Sequence, residues 1–169
     1  MNDFEMFVAA RGPALLRLGV MLTGTPHESE DLVQSALVKV CKHWNRVAVA
    51  DNPEAYVRQI MVREQISWKR RKASTEVISA SPHELQEASS RLENPDHADS
   101  VVTRDHLWQL LATLPRKQRA VLVLRYYEDM SDAQIADVLN CRQGTVRSNA
   151  HRALRELKLT HNLSEELMT

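Results

Sequence analysis

The sequence predicts an all-α protein of two small helical domains joined by a flexible acidic linker. Three observations carry that expectation. Only four glycines and 5% aromatic residues stand in a chain of 169 positions that is otherwise rich in Leu, Ala, Arg, Glu and Gln, side chains that lose little rotamer freedom in a helix. Apolar residues recur every three or four positions over several stretches, the spacing of one helical face. The charge, zero overall, comes in blocks: six lysines and arginines against two carboxylates over 53–72, one against six over 73–100, and ten against six over 101–158. Two basic modules therefore flank an acidic connector.

Taken in order, Phe4, Phe7, Val8, Leu15, Leu16, Leu18 and Leu22 keep near-helical spacing. Gly12-Pro13 interrupts the run and could begin a fresh helix, and a turn at Thr23-Gly24 ends it. Thr25-Pro26-His27-Glu28 then offers an N-cap hydroxyl, a proline at the first helical position and a carboxylate in the first turn. In the helix that follows, Leu32, Val33, Ala36, Leu37, Val40, Cys41 and Trp44 share one face, while Glu30, Asp31, Gln34, Lys39 and Lys42 take the others. A polar loop spans Asn45 to Asn52. Asn52-Pro53-Glu54 starts a third helix that carries Tyr56, Val57, Ile60, Met61 and Trp68 inward and ends in Lys69-Arg70-Arg71-Lys72. Residues 73–100 hold prolines at 82 and 95 and no sustained apolar face, which marks the linker; Ser81-Pro82-His83-Glu84 leaves room for one short helix over 82–92.

The second module opens with Leu107, Leu110, Leu111 and Leu114, stops at Pro115, and resumes on a basic helix with Ala120, Val121, Leu124 and Tyr127. Ser131-Asp132-Ala133-Gln134 is a capping box ahead of Ile135, Ala136 and Leu139; after a break at Asn140-Cys141 come Val146, Ala150, Ala153, Leu154 and Leu157. The domain boundaries expected are 1–72, a linker over 73–100, 101–160, and a tail over 161–169.

The short break makes the last two helices cross steeply through Ile135, Ala136, Val146 and Ala150, a helix-turn-helix. Its second helix turns Arg142, Gln143, Thr145, Arg147, Ser148, Asn149 and Arg152 away from the core, polar types that read base edges or hold phosphates. Gly144 suits a close backbone approach to the preceding helix or to DNA. In the first module Arg58, Arg63 and the run Lys69 to Lys72 lie outside the core stripe. Four consecutive cations favour a polyanion, against the plainer reading of a charged helix end.

Catalytic signatures are missing: no phosphate-binding glycine loop, no HExxH, no paired carboxylates and no nucleophile elbow, so an enzyme is not expected. Cys41 and Cys141 stand far apart and outside any CxxC pair, and the seven histidines are scattered singly. Reduced, buried thiols and no metal or other cofactor are therefore expected. Nothing resembles a signal peptide or an apolar run of about 20 residues, which predicts a cytoplasmic protein without membrane insertion.

Several short marks recur in one order and spacing: Phe7-Val8-Ala9-Ala10-Arg11 with Pro13-Ala14-Leu15-Leu16-Arg17, Glu30-Asp31-Leu32-Val33-Gln34, Pro53-Glu54-Ala55-Tyr56-Val57-Arg58, Ser67-Trp68, Leu114-Pro115, Gln118-Arg119-Ala120-Val121, Leu124-Arg125-Tyr126 and Gly144-Thr145-Val146-Arg147-Ser148. Through them the chain resembles, over nearly its whole length, bacterial RNA polymerase sigma factors of the sigma-70 family, in particular the compact actinobacterial type of the extracytoplasmic-function class. The resemblance implies that 1–72 is sigma region 2 and 101–160 sigma region 4, both borne on core RNA polymerase, which Asp31, Gln34 and Leu37 would contact. It implies that Asn45, Arg46, Asn52, Arg58, Arg63, Lys69, Arg70 and Arg71 meet the minus-10 element, whose flipped bases the loop and following helix would hold. It implies that Arg142, Gln143, Thr145, Arg147, Ser148, Asn149 and Arg152 read the minus-35 element, and that an anti-sigma factor is a further partner. Arg63 and Asn149 depart from the family, many of whose members carry Asn and Arg there, so the contacts of those family residues do not transfer. The competing readings are a stand-alone helix-turn-helix regulator that binds operator DNA as a dimer and, more distantly, an adaptor that makes only protein contacts.

Overall fold

Asn2 opens the first helix, α1 (Asp3–Thr23), with a capping box: its side chain accepts from Glu5 N–H and the Glu5 carboxylate accepts from its own. The computed structural model describes the backbone of residues 2–67 and 98–167 and the side chains of 2–67 and 106–160. Gly24 ends α1 in the left-handed region at φ 88°, its N–H donating to the Val20 carbonyl at 2.7 Å. The helix runs through Pro13 without a break, so the fresh start expected at Gly12-Pro13 does not occur. The carbonyl that loses a donor to Pro13 is that of Ala9, which is exposed to solvent. Burial of Leu15, Leu18 and Leu22 to 1% exposure or less, worth roughly 1.5–3 kcal/mol each, outweighs an interior proline at about 3 kcal/mol.

Thr25 caps α2 (Pro26–Cys41) through a bond from Glu28 N–H, with Pro26 at the first position, as the sequence predicts. Asn52 does the same for α4 (Pro53–Ser67), accepting from Ala55 N–H at 3.0 Å. Leu32, Val33, Ala36 and Val40 of α2 meet Val57, Met61 and Val62 of α4 and the buried leucines of α1 in one core. At the α1–α2 crossing Gly19 stands against Ser29, whose hydroxyl donates to the Leu16 carbonyl at 2.8 Å.

Three expectations are corrected here. The loop after α2 begins as a one-turn helix, α3 (Trp44–Val47), that buries Val47. Trp44 packs against Phe4 and Phe7, with ring centroids 5.1 and 5.0 Å away. Cys41 is exposed, while its neighbour Val40 takes the inward position of the last turn of α2. Tyr56 is 45% exposed; it follows directly on the proline turn, and Val57 takes the inward position. Trp68, the run Lys69 to Lys72 and the capping motif at Ser81 lie outside the described residues.

The second module contains α5 (Ala98–Thr113), α6 (Arg116–Leu122), α7 (Asp132–Leu139) and α8 (Gln143–Leu167). Its core holds Trp108, Leu111, Leu114, Ala120, Val121, Leu124, Ile135, Val146, Ala150 and Ala153. After α6 the chain continues as a π turn over Val123–Tyr127, which breaks the α-helical period on which the inward expectation for Tyr127 rests, and Tyr127 is 48% exposed. Leu107 and Leu154 are also half exposed. At the latter turn, small Ala153 occupies the inner position. Among the described residues every regular element is helical, in line with the predicted class.

α1 has the length and mean hydropathy, 1.3, of a membrane span. Its apolar face is instead taken up by α2 and α4, as expected of the central helix of a folded core.

Candidate nucleic-acid interface

The helix-turn-helix is built locally. Ser131 and Gln134 close the capping box on α7, with Gln134 N–H donating to the Ser131 hydroxyl at 3.3 Å and Ser131 N–H to the Gln134 side chain at 2.8 Å. Asn140 ends α7 in the left-handed region at φ 50°, a conformation Asn tolerates better than most residues. Ile135 and Val146, both 0% exposed, lock the two helices together with Ala136 and Ala150.

That packing turns one side of α8 outward. Arg142, Gln143, Thr145, Arg147, Ser148 and Arg152 are exposed, and Asn149 is half buried, its side-chain amide donating to the Thr145 carbonyl at 2.9 Å. A Cβ on Gly144 would meet nothing within 4 Å, so the crossing of α7 and α8 does not require a glycine at this position. Asp132, the first residue of α7, pairs with Arg125 of the π turn and accepts from Arg147 Nε at 3.2 Å. The bond from Arg125 leads in holding the Asp132 carboxyl below its usual range, with Arg147 adding to it. Arg125 in turn is raised, first by its hydrogen bond to Asp132.

The other predicted cations are placed differently. Asn45, Arg46 and Asn52 are exposed around α3 and the loop after it. Arg58 donates to Glu54 of its own helix and to Glu128 of the second module. Burial works against the Arg58 charge, but the bonds and charges of Glu128 and Glu54 outweigh it and hold the guanidinium above its ordinary value. Arg63 Nε donates to the Val138 carbonyl of α7 at 3.2 Å. Two residues expected to face DNA are thus engaged by the second module in this arrangement. Lys69, Arg70 and Arg71 lie outside the described residues. On α2, Asp31 and Gln34 are exposed and Leu37 half buried, with His27 Nε2 3.8 Å from the Asp31 carboxylate.

Arg119 carries no local sign of its placement among the basic residues of α6. It is 7% exposed and donates to the carbonyls of Leu22 at 3.2 Å, Ala112 at 2.9 Å and Leu114 at 3.1 Å. Burial, with Arg116 adding repulsion, pushes its pKa down to about 10. The Gln65 amide donates to the same Leu22 carbonyl at 3.0 Å, and Arg116 reaches the Gln65 carbonyl at 3.4 Å, so the C-terminal end of α1 is shared by both modules. No group of His, Cys, Asp and Glu suited to a metal occurs among the described residues.

Against known proteins, residues 7–75 match the family model for sigma-70 region 2, and residues 104–157 that for sigma-70, region 4. The chain is 36% identical over 156 residues to an RNA polymerase sigma-E factor of Streptomyces avermitilis, covering 92% of this chain and 83% of that protein. It is 32% identical over 146 residues to the ECF RNA polymerase sigma factor SigL of Mycobacterium tuberculosis, covering 86% and 81%. Among solved structures it is similar to the sigma factor RpoE of Bartonella quintana, crystallised in complex with the anti-sigma factor NepR. That match has a TM-score of 0.64 and 22% identity, and covers 94% of this chain and 96% of that one.

Proposed function

We propose a division of labour that starts from the family: the chain belongs to the sigma-70 family of RNA polymerase sigma factors, in the extracytoplasmic-function class. It binds core RNA polymerase and directs promoter-specific transcription initiation. The observation that carries this is the succession of a region 2 match and a region 4 match on one short chain. In the reading proposed here, residues 1–72 act as region 2 on the polymerase and the minus-10 element, 101–160 act as region 4 on the minus-35 element, and 73–100 connect them. The protein performs no chemistry; the polymerase makes the RNA, in the cytoplasm. An anti-sigma factor belongs among the proposed partners.

The proposed minus-35 reader is the outward side of α8. Its support is that Arg142, Gln143, Thr145, Arg147, Ser148 and Arg152 stand exposed together near the helix N-terminus, the end that docks in the major groove in helix-turn-helix proteins. The proposed minus-10 contacts are Asn45, Arg46, Asn52, Arg58, Arg63, Lys69, Arg70 and Arg71, and the proposed polymerase contacts are Asp31, Gln34 and Leu37. Exposure supports Asn45, Arg46, Asn52, Asp31 and Gln34. Arg58 and Arg63 require their bonds to Glu128 and Val138 to be exchanged for phosphate.

The deciding experiment adds the purified chain to sigma-free bacterial core polymerase and follows promoter-selective initiation. Transcripts that depend on the chain support the reading. Binding of duplex DNA by the chain alone as a dimer, with no transcript depending on it, overturns it in favour of an operator-binding regulator.

A further inference from the structure

Arg147 is 68% exposed at the side chain, yet it is not a free surface cation. Asp132 holds it at Nε, 3.2 Å away, from the neighbouring helix of the pair. The other Asp132 oxygen is taken by Arg125, and these three side chains are the only charged partners of one another among the described residues. The carboxylate is fixed from both ends: its backbone sits at the first position of α7, immediately after the Ser131 cap, and Arg125 anchors its second oxygen from the π turn. Held at Nε, the guanidinium leaves both terminal nitrogens without a protein acceptor among the described residues. That pair of N–H groups is the fork that grips guanine O6 and N7 side by side.

We propose that Asp132 is the positioning residue of the upstream-element reader, fixing the Arg147 fork so that it accepts guanine in the major groove. This rests on the assignment of α8 to minus-35 DNA. A long arginine chain left loose settles on any phosphate within reach, because phosphate attraction carries no sequence information. A carboxylate beside the DNA backbone is repelled by phosphate, so its presence weakens general affinity in exchange for directing the fork. The two effects have opposite signs, which separates positioning from mere support of α7.

The test uses holoenzyme assembled from the full chain and sigma-free bacterial core polymerase. It is offered a pool of duplex DNA randomised over eight consecutive base pairs, and the bound fraction is sequenced. Arg147→Ala should erase a guanine preference at one position, by about five- to 150-fold, the range for a bidentate pair. Asp132→Asn should cut the same preference at least about fivefold while retention of unselected duplex stays equal or rises, and Asp132→Glu should restore part of it. In the Arg147→Ala background, Asp132→Asn should change nothing further at that position. Preference retained in Asp132→Asn but lost in Arg147→Ala overturns the positioning role and leaves the reader intact. So does weakening of all sequences alike, accompanied by a lower melting temperature. No change of preference in Arg147→Ala overturns the assignment of Arg147 as a reader, and the inference with it.

Discussion

Substituting Gly19 by Ala probes the crossing of α1 and α2 with few free parameters. A Cβ at that position would overlap the Ser29 hydroxyl and stand 3.2 Å from Ser29 Cβ and 3.4 Å from its Cα. Ser29 can escape by rotating its hydroxyl away, but the hydroxyl then loses the Leu16 carbonyl at 2.8 Å. With the residue 0% exposed, an unsatisfied buried hydroxyl costs about 1–3 kcal/mol. The remaining contacts press two helix backbones apart by a few tenths of an ångström, and overpacking of this kind costs about 1–3 kcal/mol. Against both stands the better helix propensity of Ala, worth about 1 kcal/mol. Gly19→Ala should therefore destabilise the protein by about 1–5 kcal/mol, the remainder of those terms. The assay is urea unfolding of wild type, Gly19→Ala, Ser29→Ala and the double variant, with the slope checked to be constant. In the Ser29→Ala background the overlap with the hydroxyl is gone, and the cost of Gly19→Ala should fall by at least about 1 kcal/mol, a coupling expected of residues in contact. A stabilising Gly19→Ala, or a cost that is the same in both backgrounds, refutes the reasoning.

Two further outcomes follow from the polar contacts. Glu128→Gln removes one of the two carboxylates on Arg58; because Arg58 keeps Glu54 and is 27% exposed, the loss should be about 1–2 kcal/mol, not the 3–5 of a fully buried pair. Fluorescent labels on α4 and α8 should then report a wider spacing between the modules, and an unchanged spacing would show that Arg119 and the apolar contacts suffice. Asp132 has its folded-state pKa depressed by Arg125 and then Arg147, so its contribution is present above the ordinary carboxylate pKa and is lost as pH falls through the depressed one. A carboxyl titration followed by NMR should place Asp132 below its usual value in wild type and bring it back toward that value in Arg125→Gln.

What was legible in the sequence was what neighbours in the chain decide. Thr25, Asn52, Ser131 and Gln134 act on backbone amides three residues away, and such caps can be read from spacing alone. Leu32, Val33, Ala36 and Val40 of α2 and Val57 and Met61 of α4 were legible from helical spacing in the same way, whereas Cys41 and Tyr56 fell outside the core. What escaped was set by contacts remote in sequence. Arg58 meets Glu128 seventy residues on, Arg63 meets the Val138 carbonyl seventy-five on, and Arg119 meets Leu22 ninety-seven back. A cation in a basic helix gives no local sign of whether water, phosphate or a carbonyl will receive it. The π turn misplaced Tyr127 because helical spacing assumes a constant period. For the proposed DNA-reading face, the exposed side chains of α8 could be read from amphipathicity, whereas the Asp132 bond to Arg147 depends on how α7 crosses α8.

Three of the inter-module arginines differ in what they can exchange, and this orders the steps proposed for promoter binding. Arg119 is surrounded by carbonyls of α1 and its own module with 7% exposure; no phosphate can reach it without unpacking the core, so its role is to tie the end of α1. Arg63 is exposed and holds one neutral carbonyl, and a phosphate is the stronger acceptor because both partners are then charged. Arg58 must give up a carboxylate, Glu128, whose side chain is 9% exposed, and leaving that charge buried and unpaired is costly. On the proposed minus-10 assignment, Arg63 is therefore the contact that DNA would capture first, and Arg58 would become available only when α4 and the Glu128 turn separate far enough for water to reach the carboxylate.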